Sequence, residues 1–78
     1  MRRVILSPDT KKWNKEFGKR LKARREELKL TQGEVGKRSG MTQVEISLLE
    51  RGKSNPLVST VLALASALNI DPMYLIKF

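Results

Sequence analysis

Apolar residues recur along this chain at intervals of three and four, and the runs they form are bounded by residues that start and stop helices. Trp13, Phe17, Leu21 and Leu28 fall on one face of a segment from about 10 to 29, with lysine and arginine filling the faces between them. Thr31 then stands three residues before Glu34, and "TQGE" has the spacing of a capping box in which each residue satisfies a donor of the other. A short helix over 32–38 follows and stops at Gly40, a residue suited to a left-handed cap. Thr42 and Glu45 repeat the capping pattern and open a third helix that runs to Arg51 and ends at Gly52. Beyond the loop "GKSNP", Val58, Val61, Leu62, Ala65 and Leu68 form an apolar stripe over 57–68. Asp71-Pro72 then caps and starts a last turn carrying Met73, Tyr74, Leu75 and Ile76.

This pattern predicts an all-α fold, a compact bundle of about five short helices in one domain over residues 11–78. Residues 1–10 read as an N-terminal arm or short strand with a turn at Ser7-Pro8-Asp9. No strand pair, internal repeat or low-complexity tract interrupts the helical pattern. Two short helices joined by a glycine-containing turn, as over 32–51, are the geometry of a helix-turn-helix.

The third helix has two usable faces. At about 100° per residue, Ile46 and Leu49 point to the core while Val44, Ser47, Leu48 and Arg51 cluster opposite them, with Gln43 in the first turn. An outer face of this kind fits the major groove of duplex DNA. There Gln43 pairs with adenine, Ser47 bonds a base or phosphate, Val44 and Leu48 meet thymine methyls, and Arg51 reaches phosphate or guanine. Packing inside the domain is the competing use of Val44 and Leu48. Thr31, Gln32 and Thr42 sit at helix starts, where free N–H groups hold phosphate oxygens, and Lys53, Ser54 and Asn55 form a polar loop able to clamp the backbone. Capping is the first duty of the two threonines, and Gln32 has none.

Charge sharpens this picture. Sixteen basic against eight acidic residues give a net charge of +8, and 11 − 4 = +7 of it falls in residues 1–30. A polyanion, nucleic acid before membrane surface, is the partner such an excess favours, with a solvated basic face as the alternative. Cysteine and histidine are both absent, so disulfides, Cys/His metal sites and thiol or imidazole catalysis are excluded. Glu16, Glu26, Glu27, Glu34 and Glu45 read as cap or surface charges, and no pair of them has metal or acid/base spacing. The reading is therefore not an enzyme, with no cofactor and no metal. Val4, Ile5 and Leu6 are too short a run for a secretion signal, and no stretch is apolar enough to cross a bilayer, so a cytoplasmic location is expected.

The segments "LKARREELKLTQGEVGKRSGMTQVEISLLERGKSNP" and "LALASALNIDPMYLI" resemble the helix-turn-helix family typified by phage repressor and Cro proteins. The resemblance covers nearly everything from Phe17 to Ile76. It implies that the helix over 42–51 lies in the major groove and that a homodimer binds two half-sites of a roughly palindromic operator. By position it makes Gln32 a phosphate contact, Gln43, Val44 and Leu48 base readers with Ser47 beside them, and Arg25 and Glu50 a partly buried structural ion pair. Three residues depart from the family's habit: Lys29 stands where glycine is common, Gly36 where alanine is usual, and Leu48 is less polar than most base readers.

These observations together give a DNA-binding transcriptional regulator. The spare apolar residues Leu64, Ala67, Leu75, Ile76 and Phe78 are its expected two-fold interface. An antitoxin that binds a protein toxin and regulates its own operon is the second reading, with the N-terminal arm as the spare segment. Arg2 and Arg3 either enter a minor groove or belong to a disordered or locally packed arm. No small-molecule effector site is evident, so control falls to concentration, partner binding or operator cooperativity.

Overall fold

The structure is a computed structural model and describes residues 8–78. Five helices follow in order: α1 (Pro8–Glu27), α2 (Gln32–Ser39), α3 (Gln43–Glu50), α4 (Val58–Ala67) and α5 (Pro72–Ile76). Among the described residues there is no strand. The first helix starts earlier than its apolar spacing predicts. Pro8 is the reason, because proline needs no N–H partner in a first turn and carries a helical φ already. Pro8 and Asp9 of the expected turn thus belong to α1, and the remainder of the expected arm, Arg2 and Arg3 included, lies outside the described residues.

One core draws on every helix. Phe17 and Leu21 of α1, Val35 of α2, Ile46 and Leu49 of α3, Val61, Leu64 and Ala65 of α4, Leu68 just after it, and Leu75 of α5 are all buried. Trp13 stacks on Phe17 at 5.6 Å and extends the core toward the start of α1, where Phe78 leans on it at the same separation. The buried Asn14 side chain donates to the side-chain amide oxygen of Asn55 and so ties the loop after α3 to α1.

The structure corrects the phase of α4. Its inward wedge is Val61, Leu64, Ala65 and Leu68, while Val58 and Leu62 are 77% and 53% exposed. The expected two-fold surface changes with it. Leu64 and Leu75 are fully buried inside the single chain, Ala67 and Ile76 are half-buried, and only Phe78 is exposed. The α4 segment is apolar on most sides, so its true direction is set by packing between α2 and α5. Leu57, Val58 and Leu62 are the large apolar side chains that α4 and its N-cap leave open.

Helices α1, α3 and α4 end in the same reciprocal hydrogen-bond pattern, with one residue in the left-handed region after the cap. At α1, Leu30 N–H bonds the Arg25 carbonyl and Lys29 N–H bonds that of Glu26. The left-handed residue is Lys29 (φ 58°) after α1, Gly52 (φ 71°) after α3 and Asn69 (φ 55°) after α4. Lysine is the poorest of the three choices, since its Cβ crowds the next carbonyl at a cost of about 1–2 kcal/mol. Part of that returns when glycine's extra freedom in the unfolded chain is counted. Lys29→Gly is therefore expected to stabilise the fold by about 0.5–1 kcal/mol, raising Tm by roughly 3–6 °C in thermal denaturation. Asn69→Gly should shift it far less, because asparagine tolerates this conformation.

Candidate nucleic-acid interface

Each helix of the α2–α3 pair begins at a complete capping box. Thr31 Oγ1 accepts from Glu34 N–H at 3.0 Å and Glu34 Oε1 accepts from Thr31 N–H at 2.7 Å. Thr42 and Glu45 repeat this at 3.1 and 2.8 Å. The Thr31 N–H holds the Glu34 carboxyl below its ordinary value. A lowered folded-state value means that this cap contributes above the ordinary glutamate range and is lost as pH falls through the lowered one. Between the helices the chain turns at Gly40, whose φ of 76° is open to glycine at no steric cost. At Gly36 a Cβ would come within 2.6 Å of the Met41 carbonyl oxygen, so its missing side chain lets α2 sit close on that turn.

The side of α3 away from the core is open. Gln43 is exposed, Val44 is 62% exposed, and Ser47 and Leu48 are half-buried. An exposed valine flanked by polar side chains is what a thymine-methyl contact needs. Leu48 lines a shallow concavity with Met41, Glu45, Ser54 and Leu57, so part of its surface is taken up within the domain. Arg51 is exposed, with its Nε 3.4 Å from its own helix's Ser47 carbonyl.

Behind this face runs a chain of polar contacts. Arg25 Nε and Nη2 donate to the two Glu50 oxygens at 2.6 and 3.0 Å, and Nη1 donates to the Leu30 carbonyl at 2.9 Å. The Glu50 side chain is 3% exposed and that of Arg25 13%. Hydrogen bonding to Glu50 raises the Arg25 guanidinium above its ordinary value, against the opposing effect of burial. Gln32 Nε2 also donates to Glu50, at 3.0 Å, and Gln32 Oε1 accepts from Gln43 Nε2 at 2.6 Å. The Arg25–Glu50 pair, Gln32 and Gln43, given three separate duties on sequence, thus form one network.

The remaining phosphate candidates divide. The hydroxyls of Thr31 and Thr42 are engaged as caps, which leaves the first-turn N–H groups of Gln32, Gly33, Gln43 and Val44 without intrahelical acceptors. Lys53 is exposed and Ser54 half-buried, while the Asn55 side-chain oxygen is committed to Asn14. Lys15 is not visible as a candidate from the sequence: its backbone passes within about 3 Å of where a Gly52 Cβ would stand, which brings the base of its side chain against the Arg51–Lys53 loop. Sequence spacing holds no sign of this approach between residues so far apart in the chain.

Lysine and arginine are used differently. Arg24 donates to the Leu68 and Asn69 carbonyls at the end of α4, Arg38 to that of Ala67, and Arg20 to that of Tyr74 while lying over the Phe78 ring. All three ion pairs among the described residues use an arginine. Every one of the nine lysines is exposed. The fold therefore consumes planar, forked donors at helix ends and leaves the compact ammonium charges facing solvent.

Two capped helices meeting at a tight glycine turn, with the outer side of the second left open, make up a helix-turn-helix. The chain belongs to the helix-turn-helix family HTH_3, whose profile matches residues 21–75, a family of DNA-binding transcription regulators. Repressor protein C2 of Salmonella phage P22 is 43% identical over 61 residues, which are 78% of this chain and 28% of that repressor. The chain thus spans little more than a quarter of that relative. The crystal structure of the P22 c2 repressor in complex with a synthetic operator superposes with a TM-score of 0.74 at 43% identity, covering 78% of this chain and 92% of that one. The restriction-modification controller protein C.AhdI of Aeromonas hydrophila gives 0.78 at 34% identity, covering 80% and 94%. No described helix is long and apolar enough to cross a membrane.

Proposed function

We propose that this chain represses or activates transcription by binding, as a homodimer, a roughly palindromic operator with α3 in the major groove. The observation that carries this reading is the open face of α3, where an exposed glutamine and an exposed valine stand side by side at the helix start, above a buried polar network. Gln43 is suited to adenine and Val44 to a thymine methyl, while the first-turn N–H groups of α2 and α3 and the nearby lysines supply sequence-independent phosphate contacts. The operator-bound P22 repressor, similar over most of this chain, supports the same use of the fold. Two-fold pairing is supported by the apolar side chains of Leu57, Val58 and Leu62, which the core leaves exposed on the segment following α3.

The test is selection of genomic fragments by the purified protein at about 150 mM salt, where weak phosphate-only binding is suppressed. Wild type is expected to enrich a two-fold symmetric motif. Gln43→Ala/Val44→Ala should bind that motif at least about 30-fold more weakly, since a bidentate base contact alone is worth about 1–3 kcal/mol. A folded wild-type protein that enriches nothing would sink this reading and bring forward a protein partner, as in the toxin-binding alternative.

A further inference from the structure

Helix α1 sorts its charges by side. At about 100° per residue, Lys11, Lys15, Lys19 and Lys22 fall on one flank of the helix, each one turn from the next. Glu16 and Glu27 fall on the other flank, where each is paired with an arginine one turn away, Arg20 and Arg24. Packing fixes which way the flanks look. Gly18 meets the Leu49 and Glu50 carbonyls, Arg25 holds Glu50, and the base of the Lys15 side chain lies against Gly52, so the lysine flank adjoins the end of α3. Arg20 and Arg24 instead reach the Tyr74 and Leu68 carbonyls, on the side of α5.

All four lysines are exposed, and none joins an ion pair among the described residues. The helix itself gains nothing from this arrangement. Like charges one turn apart repel each other, and Lys11 in addition stands in the first turn, near the positive end of the helix dipole. Glu26 is the one acidic residue of α1 that shares the flank, at its far end. A rigid row of ammonium groups set about 5–6 Å apart, over about 16 Å in all, suits a row of phosphates better than it suits the fold.

We propose that the lysine flank of α1 is a second DNA-backbone contact, which continues the phosphate contact of the Arg51–Lys53 loop and lengthens the footprint on each half-site. The inference rests on the reading that α3 enters the major groove, since the flank lies beside the end of that helix. Lys11, Lys15 and Lys19 precede residues 21–75, the segment matched by the family profile, so most of this contact is added by the part of α1 ahead of it. Lysine fits the duty. Phosphates along a strand ask for charge without a fixed direction of approach, and ammonium groups on flexible stems supply it without reading bases.

Lys15→Gln/Lys19→Gln is compared with Lys37→Gln/Lys77→Gln, which removes two exposed lysines from the last turn of α2 and from beyond α5 and lowers the net charge equally, 8 − 2 = +6. Glutamine keeps the helix propensity and most of the stem, and circular dichroism checks that both variants fold. Binding to the selected operator is titrated from about 50 to 200 mM salt. The α1 variant is expected to lower the slope of log K against log salt by about 2 and to bind about tenfold or more weakly at 150 mM, with the control close to wild type. Hydroxyl-radical footprints should show protected backbone that the α1 variant leaves open and the control retains. If both variants lose the same slope and affinity, the lysines act only through the overall field of the protein, and the proposal is overturned. An α1 variant that matches wild type overturns it as well, while the groove reading stands. A wild-type protein that selects no operator would remove the groove reading itself, and the second contact with it.

Discussion

Replacing Glu50 with alanine is expected to cost about 3–5 kcal/mol, a loss comparable with the whole stability of a domain this small. The Arg25 side chain is 13% exposed and always charged, and it gives Glu50 two of its three hydrogen bonds. Taking the carboxylate away leaves a guanidinium facing a gap between α1 and α3 with one partner, the Leu30 carbonyl. That outcome is a stranded charge and not merely a missing bond. Arg25→Met/Glu50→Leu, which removes both charges and refills the space, should recover most of the loss, because a buried pair and a packed apolar replacement are often close in stability. Urea titrations followed by circular dichroism decide the matter. A Glu50→Ala protein within about 1 kcal/mol of wild type would mean that water reaches and solvates Arg25.

Gly18→Ala should be comparably damaging for a different reason. Phe17 and Leu21 bury α1 against the core, and between them α1 crosses the end of α3 so closely that a Cβ on Gly18 would stand 2.5 Å from the carbonyl oxygens of both Leu49 and Glu50. Backbone atoms at a helix end cannot swing aside like a flexible side chain. The helices must separate, and a loss of about 3 kcal/mol or more is expected where overpacking ordinarily costs about 1–3 kcal/mol. The same change at Gly33 meets nothing nearer than Thr31 Oγ1 at 3.8 Å. It should be neutral or add up to about 1 kcal/mol through helix propensity. Equal Tm shifts for the two variants would remove the close-crossing argument, since propensity alone favours alanine at both sites.

The parts of this fold legible in the sequence are those written in local code. Thr31/Glu34 and Thr42/Glu45 announce two helix starts because a capping box spans only four residues. Ile46 and Leu49 declare the inner face of α3 because most of the other residues of that helix are polar. Helix α4 carries a weaker signal: Ser59 and Ser66 mark its solvent side, yet apolar residues continue around it, and the stripe read through Val58 and Leu62 is rotated from the real wedge at Leu64. Gly18 passed unnoticed since a glycine within a helix looks like a flaw until the neighbour crossing it is known. The link from Arg25 through Glu50 and Gln32 to Gln43 joins three helices, and no spacing rule connects such distant positions. The Arg25–Glu50 pair itself came from the family resemblance, not from periodicity.

The unequal use of the two basic side chains bears on how such a protein can change over generations. Arginines at helix ends and in the buried pair are tied to particular carbonyls and carboxylates, so their replacement is felt by the fold. Lysines at the surface hold no comparable post, and they can be gained, lost or moved one position at little structural cost. Attraction to DNA and thermal endurance are thereby placed under separate sets of codons. A lineage can retune how tightly it grips its sites without first having to rebuild the domain that does the gripping.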